Sequence, residues 1–368
     1  MAKGFWVRPG EKDRAVFGRL TTYYKVRLFI LAQSVPEAME ITTQYGIPAR
    51  LVKAKSKAEG YASHSRSHNT KRSYRASWTV FCDWCNENRL EALPATIGTV
   101  AFFVSDMADT RKYSTLESYM AAISVAHKMA GYDTPCRARD EPLSSVLQGI
   151  KNQHGTAREK VAPLMAKEIS AIGDYINTAL YNAGDKDRLA LLRDKAILLM
   201  GFTGAMRRSE IVAVEVQNIR YTDEGMVIWL ARSKGDQEGK GQEIPVVYQQ
   251  KHCPVRAVRA WIDEGGISSG YVFRRIDRHG NIGSGEKPMR GGSVADIVKR
   301  YASAAGVNEK AVAGHSLRRG LATQLGRNGE PMHILMRHTR HKTEKVAREY
   351  IEAGTQFSQD NPTHRLGL

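Results

Sequence analysis

Six side chains in the second half of this chain have the types and the order for chemistry on a phosphodiester. They are Arg207 in GAMRRSE, Lys234 in RSKGDQEGKG, His315 and Arg318 in GHSLRRG, His341 in RHTRHKT and Tyr350 in REYIEAG. Breaking a phosphodiester takes a nucleophile, cations for the charge on the non-bridging oxygens, and a proton for the departing oxygen. A guanidinium meets the second need because its donor fork matches two phosphate oxygens, which makes Arg207 and Arg318 the candidates. Tyr350 is the candidate nucleophile. Free tyrosine ionises only near pH roughly 10, so it needs cations and a proton acceptor beside it. Its attack would form a phosphotyrosyl ester and free a hydroxyl, conserving the ester for rejoining. That route asks for no ATP. The chain accordingly has no GxxxxGK[ST] loop, and no clustered carboxylates compel a two-metal mechanism.

Each position alone also has a plainer reading. Arg207 and Arg318 stand in helical segments beside small or apolar residues, where an arginine can be held inward or can make an ordinary surface ion pair. Glu210 lies three residues after Arg207, on the same helical face. It reads as an orienting group for arginine or histidine, or as a surface carboxylate paired with a cation. Lys234 lies in a turn after a strand, with Gly235, Gly239 and Gly241 allowing a mobile tip. From there it could reach the leaving oxygen as an acid, could reach a minor-groove base edge, or could simply be solvated. His315 and Arg318 again share a face, and Gly314 permits close approach at a helix start that favours an anion. His341 precedes Tyr350 by nine residues, and each could be a packing residue.

The elements that must position these groups sit on a strongly basic chain, with 55 Lys and Arg against 38 Asp and Glu and a formal net charge of +17. Such a balance attracts polyanions, nucleic acid first and anionic membrane second. No apolar run of about 18 residues and no leader-like segment is visible, so no membrane partner is expected. Of the four cysteines, Cys82 and Cys85 form a CxxC inside an aromatic helical pattern with no second pair to complete a zinc site. They read as packing residues in a reduced compartment.

Five segments emerge from composition and periodicity. Residues 1–62 form an N-terminal extension of uncertain structure. Lys53 to Arg72 is basic and serine-rich, either a solvated linker or a DNA-backbone-contacting entry to the first domain. Residues 63–152 read as a compact helical, DNA-binding core domain. In it Tyr74, Trp78, Phe81 and Cys85 make one apolar stripe, Pro94 and Thr96 restart the chain, Ser114 caps a third helix ending at Gly131, and a fourth runs from Pro142 to Lys151. Residues 153–163 are a polar linker. Residues 164–350 hold the chemistry, mostly helix with one small sheet from the strand-like runs GMVIWLARSKGD and GQEIPVVY. Residues 351–368 are a tail.

On these motifs, over roughly residues 65 to 368, the chain resembles the tyrosine recombinase and phage integrase family. The resemblance implies a mainly α, multidomain fold, a helical core-binding domain plus a mixed α/β catalytic domain closing as a clamp around duplex DNA. It implies Arg207 as the first catalytic arginine, Lys234 as the hairpin lysine, and His315 and Arg318 as the HxxR pair. It makes His341 the residue at a histidine-or-tryptophan position, Tyr350 the nucleophile and Glu210 the acidic support. Ser209 and Glu210 fix the register on Arg207 rather than Arg208. The implied activity is site-specific recombination through a 3'-phosphotyrosyl intermediate, by a homotetramer on two double-stranded sites passing through a Holliday junction, with no cofactor required. Accessory directionality or bending proteins and a cytoplasmic, nucleoid-associated setting in a bacterial or phage host cell belong to the same expectation. The tail has the length of a segment that docks on a neighbouring subunit, with Phe357, Leu366 and Leu368 as its apolar anchors.

Two departures from the family pattern matter. The first 50 or so residues exceed a minimal two-domain member. MRHTRHKT stands where the common pattern reads LGHxS, so His338 or Arg340 could compete with His341 for its role. DNA contacts are expected from Arg72, Arg75, Lys112, Arg208, Arg256 and Arg259, mostly to phosphate. Three rival functions share many of these features: a topoisomerase IB-like enzyme, a hairpin-forming phosphotyrosine enzyme, and a non-catalytic DNA-binding regulator.

Overall fold

The computed structural model describes residues 49–157, 160–231 and 239–356, together with Ser233, Asp236, Asn361, Thr363 and Leu366. The chain divides into two compact units, with the break between Glu159 and Lys160.

The first unit is helical: α1 (Ala49–His64), α2 (His68–Glu87), α3 (Ile97–Ala108), α4 (Tyr113–Met129) and α5 (Leu143–His154). Helix α1 covers much of the stretch Lys53 to Arg72 that reads in sequence as either a solvated linker or a DNA-backbone-contacting entry. Its alanines and lysines are strong helix formers, but they leave no apolar stripe to read. Ser67 caps α2, its Oγ accepting the Thr70 N–H at 3.2 Å. Thr96 caps α3 in the same way, from Thr99 at 3.1 Å. The cap expected at Ser114 lies instead at Lys112, whose extended backbone (φ −65, ψ 147) starts α4 two residues earlier. The helix stops where Gly131 takes a positive φ of 79°, in the left-handed region open to glycine.

The apolar stripe of α2 buries Trp78, Phe81, Cys82, Trp84 and Cys85 against Phe103, Leu116, Ile123 and Leu143. Phe81 meets Phe103 edge-on with ring centroids 5.0 Å apart. His127 is a structural histidine. Its Nδ1–H donates to the Ile123 carbonyl at 2.8 Å and its Nε2 accepts the Ala95 N–H at 2.8 Å, tying α4 to the turn before α3. The two CxxC thiols lie in this core, and burial pushes both upward in pKa, Cys85 to about 12. Among the described residues, no group of three His, Cys, Asp or Glu side chains could hold a metal ion.

The second unit carries α6 (Ala166–Asn182), α7 (Asp185–Thr203) and the short α8 (Arg208–Val212). A sheet of β1 (Ile219–Tyr221), β2 (Gly225–Leu230) and β3 (Gln242–Val247) comes next, then α9 (Pro254–Glu264), α10 (Gly291–Ala302), α11 (Ser316–Arg327), α12 (Met332–Thr339) and α13 (Glu344–Thr355). The second half of α7, from Leu192 to Phe202, is almost wholly buried and forms the axis of the unit. The sheet is antiparallel in the order β1-β2-β3, with Ile228 opposite Ile219 and Ile244. Strand β1, three residues long, is too short to show an alternation in sequence.

Close packing fixes α11 on both sides. Gly320 lies so near the Leu164 carbonyl that a Cβ has no room. At its other end α11 crosses α13 at a pair of glycines. A Cβ on Gly326 would sit 2.8 Å from the Tyr350 carbonyl oxygen, and one on Gly354 would sit 2.6 Å from the Thr323 carbonyl oxygen. The helix that carries Tyr350 is therefore seated backbone to backbone on the helix that carries Arg318.

Candidate active site

The site is assembled where α7 ends. The chain turns through Gly204 and Ala205, whose φ of 45° is left-handed, and reaches Arg207 at the start of α8. That turn leaves the carbonyls of Gly204 and Ala205 pointing at side chains from later in the chain. Glu210 is buried and accepts the backbone N–H of Arg207 at 2.9 Å while also binding its guanidinium. Arg318, on the first turn of α11, is wholly buried, and its Nη1 donates to the Ala205 carbonyl at 2.8 Å. Its Nε and Nη2 have no hydrogen-bond partner among the described residues. Burying two guanidinium N–H groups without an acceptor is costly, so these donors are suited to an anion brought to them.

Arg340 completes the cluster from the end of α12. It donates to Glu210 at 3.0 Å and to the carbonyls of Gly204 (2.8 Å), Ala205 (2.9 Å) and His338 (3.2 Å). His338 donates from Nε2 to the Thr203 carbonyl at 2.8 Å. Of the three residues that compete for the histidine position, His341 is the one brought against Tyr350. Their rings stack with centroids 5.3 Å apart and planes at 25°. The hydroxyl of Thr339 gives its proton to the Leu335 carbonyl at 2.7 Å, so at its 2.7 Å contact with His341 Nδ1 it accepts. The neutral imidazole therefore carries its proton on Nδ1 and keeps a lone pair on Nε2.

The electrostatics follow from burial and crowding. Burial works against ionisation of Glu210, but Arg340, then the N–H and guanidinium of Arg207, outweigh it and hold its pKa below the ordinary value. Arg318 is pushed down to about 9, by burial first and then by Arg207 and Arg340, and remains a cation at neutral pH. His341 is pushed down to about 4, by burial and then by Arg318, Arg207, His315 and Arg340. It is neutral at neutral pH.

The structure thus brings together Arg207, Glu210, Arg318, His341 and Tyr350, and adds Arg340 and Thr339 to them. His315 stands exposed at the start of α11, three residues before Arg318. Lys234 lies outside the described residues, as do Phe357 and Leu368 of the tail. Arg208 is exposed and lies along Gly314. Arg72, Arg75 and Lys112 are exposed on the first unit. Arg256 and Arg259 are exposed on the second, where Arg256 donates to the Gln250 carbonyl at 3.0 Å and Arg259 lies 4.2 Å over the Tyr221 ring.

The second unit is thus mainly helical with one small antiparallel sheet, and its arginine cluster, with Arg318 wholly buried, lies close enough to Tyr350 to feel its charge. Residues 163–356 match the family model "Phage integrase family". An integrase/recombinase xerD homolog of Selenomonas ruminantium is 36% identical over 313 residues, covering 84% of this chain and 89% of the relative. The tyrosine recombinase XerD of Haemophilus influenzae is 24% identical over 286 residues, 76% of this chain and 86% of its own. Among solved structures, the XerH site-specific recombinase bound to palindromic difH substrate in a post-cleavage complex matches with a TM-score of 0.59. It covers 93% of both chains at 15% identity. The Tn1549 transposon integrase bound to transposon right-end DNA matches at 0.54, with 17% identity, over 87% of this chain and 99% of its own. The chain belongs to the phage integrase family and is a tyrosine recombinase, an enzyme of site-specific DNA recombination.

Proposed function

We propose that Tyr350 is the nucleophile, and that Arg207 and Arg318 bind the scissile phosphate. The Tyr350 Oη attacks phosphorus, the bond to the 5'-oxygen breaks, and a 3'-phosphotyrosyl ester remains while the departing oxygen takes up a proton. Lys234 is the donor of that proton. His341, neutral with a lone pair on Nε2, and His315 hydrogen-bond the phosphate or share the tyrosine's proton. Glu210 orients Arg207. The reverse attack, by a 5'-hydroxyl from another strand, reseals the DNA and returns the phenol. No cofactor enters this cycle, because the phosphotyrosyl ester carries forward the bond that was broken. The observation that supports this reading most directly is the buried Arg318, with two donors left over, beside a tyrosine stacked on a neutral histidine.

The substrate in this reading is double-stranded DNA bearing specific recombination sites, acted on by a homotetramer that holds two of them. Residues 63–152 serve as the core DNA-binding domain, with Arg72, Arg75 and Lys112 on phosphate, and residues 164–350 as the catalytic domain with Arg208 at its DNA face. Residues 351–368 dock on a neighbouring subunit. Accessory bending or directionality proteins and a cytoplasmic, nucleoid-associated setting complete the proposal.

The test is covalent trapping. Nicked or phosphorothioate-bearing duplex from the genomic neighbourhood is incubated with the protein, digested, and the adduct mapped by mass spectrometry. A nucleotide on Tyr350, lost in Tyr350→Phe, is expected; cleavage retained in that variant refutes the assignment. A two-site recombination assay run beside plasmid relaxation separates recombination from topoisomerase-like action.

A further inference from the structure

With His341 taken as the histidine of the LGHxS pattern that the family resemblance implies, Arg340 falls at that pattern's glycine. Its backbone is left-handed, φ 57 and ψ 43, the conformation in which a helix commonly ends on glycine. A Cβ in that conformation costs about 1–2 kcal/mol. A surface arginine would recover none of this. The Arg340 side chain is instead one-tenth exposed and spends its two terminal nitrogens on four acceptors: the carboxylate of Glu210 and the carbonyls of Gly204, Ala205 and His338.

Those acceptors are the parts that aim the two proposed phosphate-binding arginines. Glu210 is the partner of the Arg207 guanidinium. The Ala205 carbonyl is the anchor of Arg318, so one backbone oxygen receives both Arg318 and Arg340. Both terminal nitrogens of Arg340 already donate within the protein, so most of its donors are spent on these acceptors, and only its buried Nε has no hydrogen-bond partner among the described residues. A purely structural role is disfavoured, because glycine would suit the backbone better and the contacts go to the catalytic turn rather than to the apolar core.

We propose that Arg340 is a positioning residue for strand cleavage, clamping the Gly204–Arg207 turn and the Glu210 carboxylate so that Arg207 and Arg318 present their remaining donors to the scissile phosphate. This rests on the reading of Tyr350 as nucleophile. Arg340 is also the last of the cations that lower the His341 pKa, after burial, Arg318, Arg207 and His315. Its removal therefore leaves a second signature, an upward move of the His341 titration.

The test compares Arg340→Gly, Arg340→Lys and Tyr350→Phe with wild type on a nicked duplex carrying the mapped cleavage site. Four quantities are read: the single-turnover rate of adduct formation, the Kd for the same duplex, Tm, and the His341 imidazole titration by NMR. Arg340→Gly relieves the left-handed strain but loses a buried ion pair and three carbonyl contacts, so a modest fall in Tm is expected. Kd is expected to stay within about threefold, while the adduct rate falls by about 30-fold or more as the arginines lose their aim. The His341 titration moves up. Arg340→Lys keeps the charge but not the fork, and recovers under about a tenth of the rate. An Arg340→Gly protein that cleaves at the wild-type rate overturns the proposal, and so does a rate loss matched by equal losses in Tm and Kd. Adduct formation by Tyr350→Phe would sink the nucleophile reading while leaving the Arg340 comparison legible. No adduct from wild type on its bound site removes the strand-cleavage reading and this proposal together.

Discussion

Replacing Gly354 with alanine asks whether the crossing of α11 and α13 sets the position of Tyr350. Gly354 lies one turn after the tyrosine, and a Cβ there would stand 2.5 Å from the Arg327 nitrogen and 2.6 Å from the Thr323 oxygen. Both neighbours are backbone and cannot swing aside. Restoring the latter to an ordinary contact of 3.4 Å moves the helices apart by about 0.8 Å. Two effects on stability oppose each other. Alanine favours a helix over glycine by about 1 kcal/mol, and over-packing costs about 1–3 kcal/mol. The net loss is at most about 2 kcal/mol, or a fall in Tm of no more than roughly 8 °C for a unit of this size. The chemistry is more sensitive, because a misplacement of about 1 Å at a reacting group can cost on the order of 100-fold. Adduct formation on a nicked duplex is therefore expected to slow by about 30- to 100-fold, with DNA affinity nearly unchanged. Single-turnover trapping alongside a binding titration and a thermal melt reads all three. A lowered Tm with a wild-type adduct rate would refute the reasoning, since the helices would have separated without moving Tyr350, the proposed nucleophile.

Two further outcomes concern titrating groups. His341 has a folded pKa of about 4 against an ordinary 6.5, so the unfolded chain takes up this proton first as pH falls. Stability from this group is full above about pH 6.5 and is lost progressively down to about pH 4. The wild-type Tm should therefore fall more steeply across that window than the Tm of His341→Gln, and equal slopes would contradict it. Cys82 and Cys85 are buried with raised pKa values, Cys85 to about 12, so at pH 8 only about one Cys85 side chain in 10,000 is thiolate. Maleimide labelling and peptide mapping should find both unmodified in the native protein and both modified in urea. Rapid native labelling of either would contradict the packed core of the first unit.

Much of the site was legible because its side chains sit at fixed offsets within single elements. Arg207 and Glu210 are three apart across the start of α8, His315 and Arg318 three apart across the start of α11, and each spacing carries its own geometry into the fold. What was not legible arises from backbone. Nothing in the sequence says that the carbonyls of Gly204 and Ala205 would be turned toward two arginines, or that Arg340 would accept a left-handed backbone to reach them. The pattern GAMRRSE marks the turn only after Ala205 is known to be left-handed. Helix α1 escaped for a different reason, having propensity but no apolar face. Arg256 and Arg259 are exposed, as a DNA contact requires, but a charge in a helix does not reveal in the sequence that a carbonyl or a ring lies across from it.

The charge count of the cluster argues for a site fitted to the transition state rather than to bound DNA. Arg207, Arg318 and Arg340 are three cations gathered on the single carboxylate of Glu210, which leaves two positive charges uncompensated. His341 adds none, because burial and these same cations hold it neutral. A phosphodiester brings one negative charge, whereas attack by a phenolate carries a second into the five-coordinate transition state. On the proposed reading the net charge of the described cluster, to which Lys234 would add, is matched more fully when the phosphorus is under attack, and an interaction stronger there than in the ground state is the kind that accelerates a reaction. Arg340 is one of the three cations in that count. A lysine at 340 would keep this charge yet is expected to recover under about a tenth of the rate, so the placement of the guanidinium, more than its charge, is expected to carry the effect on cleavage.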